Sequence, residues 1–150
     1  MRTVIQRVTS CSLSIDGQEH SRIGYGLLVL LSFEETDNAE DKEWLCGKIT
    51  GLRIFDDSQG AMDLDIRDID GEIMVVSQFT LHASVRRGNR PSYSKASRPD
   101  LARPAYESFI EELETSLGRN VASGVFGAHM EINLVNDGPV TIFIDTKNRE

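Results

Sequence analysis

The amino-acid sequence predicts an α+β fold: a mostly antiparallel β-sheet or barrel with two main helices packed on one side of it. Three observations carry that expectation. Runs with the two-residue alternation of strands arrive in succession at both ends of the chain. Two stretches between them repeat their apolar residues at helical spacing. Gly, Pro, Asn and Asp punctuate the joins. The 150 residues suit a single domain spanning 1–150, long enough for a real core and too short for two comfortable ones.

Each element has its own justification. Thr3 to Val8 begins a β-type segment that runs on through Cys11–Ile15, and Asp16-Gly17 is a strong tight-turn signal. Between Ile23 and Phe33, with Gly24 and Gly26 near its start, the run GLLVLLSF is apolar on both faces, which suits the centre of a sheet. Asp37 with Glu40 three residues on reads as a capping box. Trp44, Leu45, Ile49 and Leu52 follow as one apolar helical stripe.

The acidic stretch DDSQGAMDLDIRDIDG resembles a calcium loop only in composition. Counted from Asp63, the sixth position is Asp68 where Gly is needed; counted from Asp56, the twelfth is Arg67 where a bidentate Glu is needed. It reads as a solvated hairpin or meander. Glu72 to Leu81 is expected to be one strand. Ser97-Arg98-Pro99-Asp100 opens a second helix whose buried face is Tyr106, Phe109, Ile110, Leu113 and Leu117, with Gly118 as its terminator. The chain closes with two strands around a turn at Asn136-Asp137-Gly138-Pro139.

Composition narrows the function. No apolar run approaches the roughly 20 residues of a membrane span, and the alternating start MRTVIQRVTS is unlike a secretory signal. Cys11 and Cys46 form no CxxC pair, which suits a reduced, cytoplasmic setting. Net charge is −8, yet Val85 to Pro104 carries Arg86, Arg87, Arg90, Lys95, Arg98 and Arg103 against Asp100 alone, making that strip +5 on a body of −13. Such a strip holds a phosphate backbone or, in the plainer reading, is a solvated loop paired with nearby acids.

Conventional catalytic patterns are missing. His20, His82 and His129 have no metal-ligand spacing, so neither a metal nor any other cofactor is expected. No nucleophile elbow or phosphate-binding glycine loop is present. What stands out is VVSQFTLH, residues 75–82, a buried strand whose tip turns polar. Hydroxyls and free N–H groups at such a tip stabilise an oxyanion, or else Ser77 and Thr80 merely cap the strand end. The X-Pro bond of Gly138-Pro139 is open to the cis form or to a plain hairpin turn.

Taken together, MRTVIQRV, GLLVLL, Leu52–Phe55, VVSQFTL, Arg87-Gly88-x-Arg90-Pro91-Ser92, Phe126-Gly127-Ala128-x-Met130 and LVNDGPVT strongly resemble the D-aminoacyl-tRNA deacylases. The resemblance covers Met1 to about Asp145. It implies hydrolysis of the ester joining a D-amino acid, or mischarged glycine, to the 3′ end of tRNA, by a homodimer with its active site at the subunit interface. The residues it implies are Ser77, Gln78, Phe79 and Thr80 for the catalytic pocket. Gly138 and Pro139 would form a chiral gate entering the partner's pocket, with Arg7, Phe126, Ala128 and Met130 grouped around substrate and gate. Arg86, Arg87 and Arg90 would bind tRNA. His82 carries no catalytic role in this reading. A non-catalytic barrel that binds RNA or protein through its basic loop is the competing expectation.

Overall fold

The computed structural model describes residues 1–150. Strand β1 (Arg2–Ile15) is the organising element. On one edge it pairs antiparallel first with β3 (Gly26–Ser32) and then, further along, with β2 (Gln18–Ile23). Along its other edge it pairs with the 15-residue β8 (Glu131–Asp145). The β1–β2 join is the expected tight turn, with Asp16 and Gly17 both at positive φ.

Beyond β3 the sheet is parallel. Helix α1 (Ala39–Gly51) and the small hairpin β4 (Phe55–Asp56) and β5 (Met62–Leu64) carry the chain back so that β6 (Glu72–Ser77) runs alongside β3 in the same direction. After helix α2 (Pro99–Leu117), β7 (Ala122–Ser123) adds to β6, again parallel. The mostly antiparallel expectation therefore holds for the three pairs made by β1 and is corrected for β3–β6 and β6–β7. A helical crossover returns the chain on the same heading, which a hairpin cannot do. The sheet curls until Ser21 Oγ donates to the Ser123 carbonyl at 3.1 Å, nearly closing a barrel.

Two apolar layers result. Val8, Cys11, Leu13, Ile23, Leu28, Met74 and Val76 fill the barrel. On the outer face Ile5, Leu27, Val29, Leu31, Ile73 and Val75 meet Leu45, Cys46 and Ile49 of α1 and Tyr106, Phe109, Leu113 and Leu117 of α2. Alternate residues of β3 thus enter different cores, as its two apolar faces predict. Gly26 is required where β3 begins, because a Cβ there would lie 1.8 Å from the Glu72 carbonyl oxygen.

The helix ends are set locally and from afar. α2 starts with Pro at its first position and ends on Gly118 at φ 78, as expected. α1 differs from expectation by one residue: Asn38 is the N-cap and Asp41 completes the box. Asp37 instead pairs with the Met1 ammonium and accepts from the Glu34 N–H at 2.8 Å. A long-range partner has taken the side chain that local pattern assigned to the cap.

Two further expectations are corrected. Strand β6 stops at Ser77, and Phe79–His82 forms a 3₁₀ turn. The two C-terminal strands are one, β8, which passes through Gly138-Pro139 without reversing. β1 absorbs the irregularity through register shifts between Gln6 and Val8 and between Val8 and Ser10. Pro139 removes one ladder donor, and the pairing resumes on either side of it.

Candidate active site

The carboxyl ends of parallel β3 and β6 open into a pocket of about 710 Å³. Leu31, Ser32 and Phe33 come from the first strand, and Val76, Ser77, Gln78 and Phe79 from the second. The start of α2 supplies Arg98, Pro99, Ala102 and Arg103, and the approach to β8 supplies Phe126 to Met130. Of the sequence-predicted residues, Ser77, Gln78, Phe79, Phe126, Ala128 and Met130 are therefore brought to one cavity, whereas Thr80, expected in the same pocket, is carried out of the lining by the turn Phe79–His82.

The strand ends here because its hydrogen bonding changes. Gln78 N–H donates to the Leu31 carbonyl at 2.7 Å, the last link to β3. The chain then tightens into the 3₁₀ turn, closed by Leu81 N–H to the Gln78 carbonyl at 3.1 Å. As the first residues of that turn, Phe79 and Thr80 have N–H groups with no acceptor inside it. The Gln78 side-chain amide donates to Thr80 Oγ1. Phe79, 57% exposed, sets its ring edge-on to Tyr93, with centroids 5.1 Å apart.

The lining carries no carboxylate. Neither Ser77 nor Thr80 is hydrogen-bonded to a histidine. His82 is buried behind the pocket wall, where its Nδ1 and Ser32 Oγ share a 2.6 Å hydrogen bond and its Nε2 has no partner. Burial first, and then the nearby Arg2 charge, hold its imidazole below the ordinary value. The two thiols are core groups: burial pushes Cys11 up to about 11 and Cys46 up to about 12. The cavity thus offers oriented amides and hydroxyls, and its one imidazole, His129, is hydrogen-bonded to neither Ser77 nor Thr80, so neither hydroxyl is an activated nucleophile.

Gly138, Pro139 and Arg7 belong to a different face. The Gly138-Pro139 peptide is cis, and both residues are exposed. Buried Arg7 fixes the segment from beneath: Nη1 donates to the Ile54 carbonyl at 2.6 Å, and Nε lies 2.8 Å from Asp137 Oδ2. The latter contact lacks hydrogen-bond alignment and acts as an ion pair. Gly138 sits at φ 121, and a Cβ there would come within 2.8 Å of Val140 N, so only glycine fits. This segment does not line the pocket of its own chain.

Arg86, Arg87 and Arg90 are exposed on the 83–97 loop, pinned at its neck by the Ser84–Ser92 bridge. None of the three has an ion-pair partner, whereas Arg98 meets Glu35 at 3.3 Å and Asp100 at 3.9 Å. The plainer reading of the basic strip, arginines paired with nearby acids, thus holds for Arg98 alone. Sequence reasoning missed Ser32, Tyr93 and Arg103 as site residues. Tyr93 and Arg103 join the pocket only through tertiary contact, and Ser32 was hidden in an apolar run.

Comparison with known proteins identifies the family. The model of the family described as D-Tyr-tRNA(Tyr) deacylase matches residues 4–145. A curated relative from Porphyromonas gingivalis, named D-aminoacyl-tRNA deacylase, is 61% identical over 150 residues, all of both chains. The chain belongs to the D-Tyr-tRNA(Tyr) deacylase family. It is accordingly a hydrolase of ester bonds. A solved structure described as c-Myc DNA Unwinding Element Binding Protein superposes with a TM-score of 0.92 at 38% identity, covering 97% of this chain and 98% of that one. Another, described as a probable eukaryotic D-amino acid tRNA deacylase, has a TM-score of 0.81 at 18% identity over 95% and 97% of the two chains, and shares the fold. No helix is long and apolar enough to cross a membrane.

Proposed function

We infer that this family member hydrolyses the ester of D-aminoacyl-tRNA, releasing D-amino acid and tRNA, and does so without a protein acid or base. The observation that carries this reading is the polar tip of β6, with the Phe79 N–H group free at a pocket that contains no carboxylate. In the proposed reaction the ester carbonyl accepts from the Phe79 N–H as it becomes an oxyanion. Water forms the new bond to carbon, aided by the neighbouring 2′-hydroxyl of the terminal ribose. The bond to the 3′ oxygen breaks, and that oxygen takes the proton.

Chirality needs a separate device, since D and L esters have the same atoms. We assign it to the main-chain carbonyls of Gly138 and Pro139 from a second copy, forming a wall where an L side chain would project. Support for a second copy comes from β8, whose outer edge is unpaired over 15 residues and exposes Val135 at 57% and Phe143 at 59%. Long free edges of that kind recruit another chain. Glycine has no side chain for such a wall to reject, so mischarged glycyl-tRNA belongs among the substrates. Arg86, Arg87 and Arg90 would hold the tRNA backbone in the cytoplasm, where such proofreading serves translation.

The test is release of amino acid from D-tyrosyl-tRNA and L-tyrosyl-tRNA by the purified protein. Hydrolysis of the D ester with the L ester spared is expected. Equal hydrolysis of both would remove the gate, and hydrolysis of neither would leave a binding module.

A further inference from the structure

Arg103 is a cation of the pocket that the proposed reaction does not use. It lies early in α2 and lines the cavity, and its guanidinium carbon stands 5.2 Å from the centroid of the Phe126 ring. Phe126 in turn packs 6.0 Å from Tyr106, whose buried hydroxyl donates to the Val75 carbonyl at 2.7 Å. A stack running outward from the core thus fixes the position of the charge. Stacking occupies the flat face of a guanidinium and leaves its N–H edge free to meet a planar or tetrahedral anion.

Nothing within the chain fills that edge. Arg103 has no carboxylate in ion-pair range, its neighbour Arg98 is held by Glu35 and Asp100, and no acid lines the cavity. A free guanidinium in an acid-free pocket selects for negative charge. An aminoacyl-adenosine end presents a neutral ester and a cationic α-amine. Its nearest anion is the phosphodiester on the 5′ side of the terminal adenosine.

We propose that Arg103 binds this phosphodiester, and that the contact makes the pocket prefer a nucleotide ester over the matching nucleoside ester. The identity of the nucleotide rests on the deacylase reading. The α-amine of the substrate then points away from Arg103, because like charges repel. The contact is separate from the 83–97 loop, whose arginines lie outside the cavity.

The experiment compares two non-hydrolysable probes, the amide analogues of D-tyrosyl-adenosine with and without a 5′-phosphate, by calorimetry on the full-length protein. The native protein is expected to bind the phosphorylated probe about tenfold more tightly, the effect of one well-placed charge-assisted hydrogen bond. Arg103→Ala should abolish that preference by weakening the phosphorylated probe more than the unphosphorylated one. Arg103→Lys should restore part of it. The proposal is overturned by a native protein that ignores the phosphate or binds neither probe. It is equally overturned by a preference that survives Arg103→Ala, or by equal weakening of both probes, which would make Arg103 a packing residue for Phe126. Hydrolysis of D-tyrosyl-tRNA, measured alongside, separates the two readings. Turnover without phosphate preference removes Arg103 alone, and phosphate preference without turnover removes deacylation alone.

Discussion

The Thr80 hydroxyl accepts from the Gln78 amide and has no base to take its proton, so it remains a weak nucleophile. Thr80→Ala should keep single-turnover hydrolysis within about tenfold of the native rate, whereas loss of a covalent nucleophile costs on the order of 10⁴-fold or more. His82 offers a second test. Its folded imidazole is held below the ordinary 6.5 by burial and by Arg2, so below that pH the unfolded chain binds the extra proton more readily than the folded one. Its contribution to stability is complete above pH 6.5 and declines as pH falls toward the lower folded value. Urea unfolding at pH 7 and pH 5 should show the decline, and His82→Asn should flatten that part of the profile. The polar tip Ser77–Thr80 was legible in the sequence as a chemical anomaly. The Ser32–His82 contact was not, because it joins residues 50 positions apart.

Among the elements, β3 was the most legible, since a run apolar on both faces has few places to go. The end of β6 was less so: nothing in VVSQFTLH announces that Gln78 N–H makes the last bond to β3 before the turn. β8 misled for the opposite reason. Asn-Asp-Gly-Pro is a strong local turn signal, and only the length of β1 alongside explains why the strand continues through it. At α1, Asp37 was drawn away by the Met1 ammonium and Asn38 became the cap. Asn38→Ala is therefore expected to destabilise the protein by about 1 kcal/mol, read as a shift of the urea midpoint with unchanged slope. Asp41, the other half of the box, is buried, which favours its neutral form. Hydrogen bonds from Lys147 and the Asn38 N–H outweigh that and hold its carboxyl below the usual range. Its support for the helix is present above the ordinary carboxylate pKa and is lost as pH falls through the lowered value.

At the scale of the whole molecule, the parallel β3–β6 pair and the two helices make the cavity, while β1 and β8 carry Gly138 and Pro139 on another face. The family resemblance implied both sets of residues and a gate directed at a partner's pocket, whereas no local pattern of the sequence shows that the two sets stand apart within one chain. Under the proposed gate, that separation would divide labour between two copies: ester cleavage would need one chain, and stereochemical choice would need a neighbour. Fidelity should then track protein concentration. Measured across a dilution series spanning the monomer–dimer transition, the rate on D-tyrosyl-tRNA would persist while the ratio of D to L turnover fell. A ratio that held constant in fully dissociated protein would mean each chain judges handedness alone.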